Sequence, residues 1–403
     1  MMFRLPMAMS VVASVAVPSL AAEPLLSHSH EWVRQRMMSM VAVDDAYLWH
    51  EVLGGRAIHQ NSDATPPTKP LRGNFHTQQQ SFFASVKMDL YDLTGDERHL
   101  DDARGLLQWV VENGFDPERR QFYLVWNTHS GQWNTDFHPE FNMISVGALI
   151  RYDTYRRRDD FLAPAAAVMS HVLDTGAFDP RASKSLYGSG YIALMLLDIW
   201  EATGQERFLE RARTAVDLAD EALWDAEHGG WFYAGTPGEG PPEHTVKFTH
   251  TNSNMIQACL RLHLAGEGDR YGDRALQVLE LLAEHSRTDD GGWYRHTTRD
   301  WLDPTQPPIV GDGGKTGTGA VCVYDRMAQM MVACALAYRA TEDARYLRWI
   351  DETLDRMERT HLTEYPAGVD YGYISSGDYQ NTWCHLWGLE AMLVLDALWR
   401  DFG

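Results

Sequence analysis

Histidine, tyrosine, asparagine and arginine residues of this 403-residue chain could together move a proton beside a carboxylate. His250 is a candidate base, and Tyr324 is a candidate acid or base. Asn252, or alternatively Asn254, could neutralise the carboxylate, and Arg326 could bind it. Neutralising a carboxylate makes the proton on the adjacent carbon more acidic. These four positions, with Asn254 as the alternative, are therefore a candidate catalytic set for β-elimination from a sugar acid.

A second set of polar and aromatic side chains opens or precedes the same segments of the chain. These candidate substrate-binding residues are Asn254, Asn142, His138, Glu140, Tyr187, Tyr191, Trp231, Trp293, Trp383 and His385. Sugar rings pack their C–H faces on flat aromatic rings, and buried polar groups are costly unless they are satisfied or used. A structural hydrogen bond explains any single polar member more simply, but their gathering at equivalent positions favours a site.

Three other functions remain open on the residues alone. Glycoside hydrolysis needs two carboxyl groups, for which the candidates are Asp136, Glu140, Asp312, Asp325 and Asp378. Sugar 2-epimerisation would use two opposed histidines, His250 and His385. A glycan-binding protein without activity would need stacking residues and hydrogen bonds but no poised acid or base.

The candidate residues lie where the hydrophobic pattern predicts buried helices to begin. Six segments are apolar on nearly all sides, which is typical of helices buried all round: 82–93, 140–155, 187–202, 252–265, 324–340 and 383–399. Five of them are followed by helices with a single apolar stripe: 100–113, 161–175, 208–223, 272–285 and 347–359. An opening helix, roughly 31–53, is predicted to pair with 82–93. Six inner helices wrapped by six outer helices are the simplest packing, and an open solenoid is the alternative.

The turns and loops between these helices repeat along the chain. The turn from Leu93 to Leu100 reads Leu-Thr-Gly-Asp-Glu-Arg-His-Leu, and the turn from Ala202 to Leu209 reads Ala-Thr-Gly-Gln-Glu-Arg-Phe-Leu. Glycine ends the first helix of each pair, and an acidic residue favours the start of the second. The loops that return to the inner helices, at 115–117, 224–233 and 289–294, combine turns with aromatic residues and predict short β-hairpins at one mouth.

The Thr-Gly-Asp turn and the Asp-x-x-Gly-Gly-Trp loops resemble those of (α/α)6 barrel carbohydrate-active enzymes. That superfamily includes relatives of N-acylglucosamine 2-epimerase, six-hairpin glycosidases and several polysaccharide lyase families. The resemblance implies an all-α (α/α)6 barrel whose site lies where the inner helices begin. The candidate catalytic set looks like that of lyases acting on glucuronan or alginate, with a six-hairpin glycoside hydrolase as the second choice. The chain departs from two branches, because it lacks the adjacent Asn-His pair of one alginate lyase group and a mannanase-like Asp-Asp pair at an inner helix start.

Composition and charge limit the partners of the chain. A formal net charge of -21 argues against nucleic acid and anionic membranes, but a local cationic cluster can still hold an acidic polysaccharide or oligosaccharide. The spacing of histidines and cysteines indicates no metal, and no cofactor is expected. Cys259, Cys322, Cys334 and Cys384 are predicted to be buried free thiols, with a bridge between helices as the alternative. We expect a monomer or a simple homo-oligomer.

The first residues have the features of a secretion signal. Arg4 precedes a short apolar stretch at 7–17, and small residues follow up to Ala22. A cleaved signal peptide at 1–22 would leave 23–403 as a single catalytic domain, exported to the periplasm or the medium. An uncleaved N-terminal anchor is the alternative.

Overall fold

A computed structural model of the chain describes residues 26–43, 49–50, 55–56, 75–127, 130–176, 179, 186–233, 246–294, 296–298, 300–301, 324–360, 362–363, 372–373 and 382–402. Within these ranges only the backbone is described at 43, 49–50, 55–56, 186–187, 246, 296, 298, 324–326, 362–363, 372–373 and 382–385. The expected signal peptide at 1–22 lies outside the described residues.

The described ranges hold twelve α-helices, and they match the repeated pattern of the sequence. They are α1 (His30–Val43), α2 (Thr77–Thr94), α3 (Glu97–Trp109), α4 (Pro139–Tyr155), α5 (Asp159–Asp174), α6 (Leu186–Thr203), α7 (Glu206–Leu223), α8 (Thr249–Leu264), α9 (Asp269–His285), α10 (Tyr324–Thr341), α11 (Ala344–Thr360) and α12 (Thr382–Phe402). A π-helical turn, Val110–Gly114, extends α3.

Six of these helices form a closed inner ring. In ring order α2, α4, α6, α8, α10 and α12 each contact the next, and α12 contacts α2. The outer helices α3, α5, α7, α9 and α11 each pack on the inner helix that precedes them. The all-α (α/α)6 barrel is therefore confirmed, and the open solenoid is excluded because the first and last inner helices meet.

The opening helix does not pair with the first inner helix as the sequence suggested. Instead, α1 packs against α12, and the Asp396 carboxylate of α12 accepts hydrogen bonds at 2.7 Å from His30 Nε2 and Arg34 Nε. The prediction was wrong because a closed ring places the two ends of the chain side by side. The N-terminal helix therefore completes the hairpin of the last inner helix.

The repeated turns end and start helices as predicted. Gly95 adopts φ 69°, and its N–H donates to the Tyr91 carbonyl oxygen at 2.7 Å, which closes α2. Asp96 then caps α3 by accepting a hydrogen bond from the Arg98 N–H at 3.0 Å. At the other end, α2 begins at Thr77 rather than Phe82, because the polar run that precedes Phe82 is helical and buried.

Short antiparallel strands precede four of the inner helices. Of the three predicted hairpins, the one at 115–117 is confirmed, whereas the loops 224–233 and 289–294 are each closed by a single isolated bridge, Trp224 to Trp231 and Arg287 to Trp293. A three-stranded sheet has the order β3 (Phe75–His76), β6 (Val125–Asn127), β7 (Gln132–Asn134). The two-stranded ribbons pair β1 (Trp49–His50) with β2 (Gly55–Arg56), β4 (Phe115–Asp116) with β5 (Gln121–Phe122), β8 (Val246–Phe248) with β9 (His296–Thr298), and β10 (Leu362–Thr363) with β11 (Gly372–Tyr373). Since β3, β7, β8 and β11 lead into α2, α4, α8 and α12, these strands lie at the mouth where the inner helices begin.

Two further sequence expectations bear on the core. Cys259 and Cys334 are buried free thiols, and burial raises the pKa of both well above the usual thiol range; Cys322 and the Cys384 side chain lie outside the described residues. Within the described part of the chain, no helix combines the length and apolar character that crossing a membrane requires.

Candidate functional site

Four side chains that meet inside the ring, those of Phe82, Tyr191, Gln329 and Trp387, occupy the same position in their inner helices. The sixth residues of the inner helices are Phe82, Ile144, Tyr191, Asn254, Gln329 and Trp387, which we call the floor. The rings of Tyr191 and Trp387 lie 6.3 Å apart although α6 and α12 stand on opposite sides of the ring. Gln329 Nε2 donates to Tyr191 Oη at 3.3 Å, and Phe82 lies 5.4 Å from Trp387. These contacts fill the centre of the ring at this level. We call the part of the barrel between this level and the inner helix N-termini the cup.

His250 stands on the wall of this cup. It is the second residue of α8, so it lies one helical turn above Asn254 on the same helix face. Its side chain is buried, and its ring lies 5.5 Å from Phe248 and 6.3 Å from Tyr233. The candidate base is therefore held by aromatic neighbours, one helical turn above the floor.

The pKa values of two other histidines at this mouth are shifted in opposite directions. Burial lowers the pKa of His76 to about 4, so its ring is neutral at neutral pH. The hydrogen bond from His138 Nδ1 to Glu140 Oε1, at 3.4 Å, raises the pKa of His138. His138 and Glu140, both predicted to bind substrate, thus form a partly exposed ion pair at the start of α4.

Several buried amides of the cup have unused hydrogen-bonding capacity. Asn254 is fully buried, and neither its Oδ1 nor its Nδ2 has a hydrogen-bond partner among the described residues. The Oε1 atoms of Gln78, Gln79 and Gln329 are buried and lack partners within the same part of the chain. Gln78 keeps one bond, between its Nε2 and His76 Nδ1 at 3.0 Å. Since buried polar atoms in proteins are nearly always hydrogen-bonded, such a cluster requires an explanation.

The asparagines at the fourth positions of α4 and α8 have a different environment. Asn252 Oδ1 accepts the Trp231 N–H at 2.9 Å, and its Nδ2 donates to the carbonyl oxygens of Trp231 and Phe248, each at 3.0 Å. Asn142 makes the equivalent bonds to Phe122 and to the His138 carbonyl oxygen. Both hydrogens of each amide are therefore bonded to backbone. We infer that Asn142 and Asn252 hold loops onto helix starts, and that neither has a hydrogen left for a substrate carboxylate.

The tryptophans of the two Gly-Gly loops were predicted to bind substrate, but the structure buries them in the core. Trp231 and Trp293 are fully buried, and their indole N–H groups donate to Asp220 of α7 at 3.0 Å and to Thr353 of α11 at 2.9 Å. The glycines let each loop turn back onto the outer layer: a Cβ at Gly291, where φ is 91°, would lie 2.1 Å from a backbone oxygen of α11. Burial of a large ring with a satisfied N–H explains why these residues belong to the core instead of the cup.

The remaining predicted residues have side chains outside the described set. The backbone places Tyr187, Tyr324, Arg326, Trp383 and His385 in the first turns of α6, α10 and α12, at the level of the cup wall. Their predicted roles stay predictions. No group of three histidine, cysteine, aspartate or glutamate side chains among the described residues is placed to hold a metal ion.

Sequence reasoning missed six residues of the cup. They are Gln78, Gln79, Phe82, Ile144, Gln329 and Trp387. The predicted helix began at Phe82, although the buried helix already begins at Thr77. Counting the same number of residues from each inner helix start would have identified the four floor residues among them, because equivalent positions of a ring of helices lie at one level.

No protein-family model matches the chain, and no curated protein matches it. Solved structures do match, along nearly its whole length. Cellobiose 2-epimerase from Bacillus thermoamylovorans is 12% identical with a TM-score of 0.73, over 92% of this chain and 100% of that chain. A glycosyl hydrolase family 88 protein from Bacteroides vulgatus is 12% identical with a TM-score of 0.64, over 92% and 99%.

An inactive α-1,6-mannanase variant of Salegentibacter in complex with α-1,6-mannotriose is 17% identical with a TM-score of 0.60, over 92% of this chain and 99% of that chain. At such identities the likeness defines the fold. The chain has the (α/α)6 barrel architecture that is also found in carbohydrate epimerases and glycoside hydrolases.

Proposed function

We propose that this chain is a carbohydrate-active enzyme that cleaves a uronate-containing polysaccharide, of the glucuronan or alginate class, by β-elimination. The observation that carries the proposal is the cup itself. All six inner helices begin at its rim, above a floor that contains aromatic, aliphatic and amide side chains but no carboxylate.

This arrangement favours an anionic sugar despite the net charge of the chain. Helix N-termini carry partial positive charge and unsatisfied N–H groups, which stabilise a bound carboxylate. Three acidic residues of the inner helices, Asp89, Asp198 and Glu201, lie near the opposite helix ends. Glu140 and Asp325 lie in first turns, where Glu140 is paired with His138. The field inside the cup therefore differs from that of the acidic surface.

His250 is the proposed base. It would take the proton from the carbon next to the uronate carboxylate, and electrons of that C–H bond would form the new C=C bond as the glycosidic C–O bond breaks. We assign carboxylate neutralisation to Arg326 and the helix N-termini rather than to Asn252, whose amide hydrogens bond backbone. Tyr324 would protonate the leaving oxygen.

Sugar 2-epimerisation is the second candidate, and the likeness to cellobiose 2-epimerase over the whole barrel favours it. Its first step is chemically similar, because a base removes a proton from a carbon next to a carbonyl group. His250 on α8 and His385 on α12 would then act from two different sides of the cup. Hydrolysis of the mannanase kind has less support, since the inactive mannanase variant has two consecutive aspartates replaced and no such pair opens an inner helix here.

One assay in D2O separates these reactions. The purified protein is incubated with glucuronan, alginate and pectate, and with cellobiose as the neutral sugar. β-Elimination is expected to produce the ultraviolet absorbance of an unsaturated uronate from one of the acidic polymers. Deuterium incorporated into cellobiose without that absorbance would identify the epimerase, and new reducing ends with neither signal would identify a hydrolase. Absence of any product would contradict both proposals.

The role of His250 has a matched control on the same helix. His250→Ala is expected to lower kcat about 10²- to 10⁴-fold with little change in KM, as is typical when a general base is lost. His263, near the far end of α8, is only partly exposed and lies away from the cup. His263→Ala should therefore retain kcat. If kcat of His250→Ala stays within a few-fold of wild type, the base has been assigned wrongly.

A further inference from the structure

Two asparagines of α8, separated by one residue, differ completely in their hydrogen bonding. Asn252 and Asn254 are both fully buried and lie in the first two turns of the helix. Asn252 makes three bonds to backbone atoms. Asn254 has no partner for its Oδ1 or its Nδ2 among the described residues. Because an unpaired buried amide destabilises a fold, its presence beneath the candidate base points to a ligand group that pairs with it.

The amide of Asn254 is also held in place by close packing. A Cβ added at Gly190 of α6 would lie 3.1 Å from the Asn254 Cβ, so the two inner helices approach closely at this point. On the other side, the backbone oxygen of Gln329 accepts hydrogen bonds from Ser253 Oγ at 3.0 Å and Gln257 Nε2 at 3.1 Å. These bonds lock α8 against α10. The backbone and the Cβ of Asn254 therefore have a fixed position at the floor before any ligand arrives.

Gln329 and Gln78 add two more acceptors to the same cup. The Gln329 Nε2 is used by Tyr191, which leaves Oε1 without a partner in the described part of the chain. Gln78 lies on α2, opposite α8 in the ring, and one turn above Phe82; its Nε2 is bonded to His76 while its Oε1 has no described partner. Both side chains thus present carbonyl oxygens, which accept hydrogen bonds from hydroxyl groups and repel carboxylates.

We propose that Asn254, Gln329 and Gln78 form a subsite that binds the hydroxyl groups of one sugar unit at the base of the cup. This inference rests on the proposed function and adds the orientation of the substrate. The hydroxyl-bearing edge of the sugar faces the floor amides, and its carboxylate faces the rim, where the helix N-termini lie. Asn254 can both accept from and donate to hydroxyl oxygens, so it fits a pair of neighbouring hydroxyl groups.

The matched variants Asn254→Ala and Asn252→Ala test the proposal. Each removes the same atoms from a fully buried position of one helix. The probes are cellobiose, α-1,6-mannotriose and a diglucuronate, with affinity measured by titration calorimetry and Tm by calorimetric melting. For the saccharide that the wild type binds, Asn254→Ala is expected to weaken the affinity about tenfold, which is typical of one lost hydrogen bond, and to change Tm little. Asn252→Ala should lower Tm by several-fold more than Asn254→Ala, since it removes three backbone bonds.

Monodeoxy analogues of the bound saccharide test whether hydroxyl groups are the ligands. At least one analogue should bind the wild type about tenfold more weakly than the parent saccharide does. The same analogue should bind Asn254→Ala as tightly as it binds the wild type, because the hydrogen bond is already absent. If every analogue loses the same factor with both proteins, Asn254 does not contact a hydroxyl group.

The remaining outcomes separate this inference from the proposed function. Wild type binding a probe while Asn254→Ala binds it equally well would overturn the subsite and leave the proposed function standing. An equal fall in Tm for both variants, with unchanged affinity, would make Asn254 a structural residue. If wild type binds none of the three probes, the subsite and the saccharide enzyme are both contradicted.

Discussion

The two ends of the inner helices treat buried polar groups in opposite ways. At the closed end, the thirteenth residues of α2, α4, α6 and α8 are Asp89, Arg151, Asp198 and Arg261, which alternate in charge from one helix to the next and which we call the charge ring. The equivalent residues of α10 and α12, Leu336 and Val394, are apolar. Arg151 Nη2 lies 2.7 Å from Asp89, and Arg261 Nη1 lies 2.8 Å from Asp198. At the open end, the floor amides are neutral and leave polar atoms without described partners. One end of the barrel places its buried charges in ion pairs, and the other holds neutral amides without described partners.

Buried carboxyl groups with raised pKa values are a second feature that the floor lacks. Burial raises the pKa of Asp89 to about 6 and that of Glu201 to about 7, with Arg151 and Arg261 opposing the shifts. Glu390, on α12, lies between the two levels, and burial raises its pKa to about 8. Its two carboxyl oxygens have no hydrogen-bond partner among the described residues. Burial thus raises the proton affinity of all three carboxyl groups.

The two ends of the barrel therefore have different roles, one in stability and one in ligand binding. Buried ion pairs with good geometry can fix the arrangement of neighbouring helices, although their net contribution to stability is small. Unpaired amides lower stability and are tolerated where a ligand uses them. We therefore interpret the end with the buried ion pairs as the structural base of the barrel, and the end with the unpaired neutral amides as the site.

The largest expected effect comes from breaking the charge ring. Arg151 is bonded to Asp89, Asp92 and Tyr155, so Arg151→Met leaves buried carboxylates without their cation. Denaturant unfolding is expected to show a loss of about 3–5 kcal/mol. Arg157→Met is the control, because the ion pair of Arg157 with Asp159 is largely exposed and contributes little. Equal effects of the two variants would contradict a structural role for the ring.

Glu390 provides a pH test of the closed end. Its carboxyl is protonated in the folded state up to about pH 8 but ionises near 4.5 when unfolded, so stability should fall as pH rises between these values. The slope is at most about 1.4 kcal/mol per pH unit for one group. Glu390→Gln should flatten this slope measurably, and Asp89 and Glu201, whose pKa values burial also raises, should supply the slope that remains. An unchanged slope in unfolding titrations would show that Glu390 is ionised in the folded protein.

The loop-holding asparagines should have intermediate effects. Asn142→Ala removes the bonds to Phe122 and to the His138 carbonyl oxygen, and should cost about 2 kcal/mol of unfolding free energy. Asn252→Ala at the equivalent position of α8 should cost a similar amount. A large difference between the two variants in denaturant unfolding would mean that the positions are not equivalent.

The smallest effect is expected at the floor. Tyr191→Phe keeps the ring beside Trp387 and removes only the hydroxyl that accepts from Gln329 at 3.3 Å. We expect a change of about 1 kcal/mol or less in unfolding free energy. A loss as large as that of Arg151→Met would show that the floor is a structural layer, and would remove the contrast between the two ends.

The sequence was a good guide to the barrel and a partial guide to the cup. Apolar periodicity located the six inner helices, because burial on all sides leaves few polar residues in them. It could not distinguish Asn252 from Asn254, which have the same side chain two positions apart, nor the core tryptophans Trp231 and Trp293 from stacking residues. Hydrogen-bond partners from distant segments separate these cases, and such partners are not visible in local patterns.

The chain by itself determined which segments become inner and outer helices, where glycine turns separate them, and that polar residues gather at the inner helix starts. Only the tertiary structure decided that α1 packs on α12, that α12 closes the inner ring on α2, and that Tyr191, Gln329 and Trp387 meet inside it. It also decided which buried amides are bonded and which are not. Helix formation depends on local periodicity and capping, whereas contact across a barrel depends on six helices arriving at one level, which ring closure alone enforces.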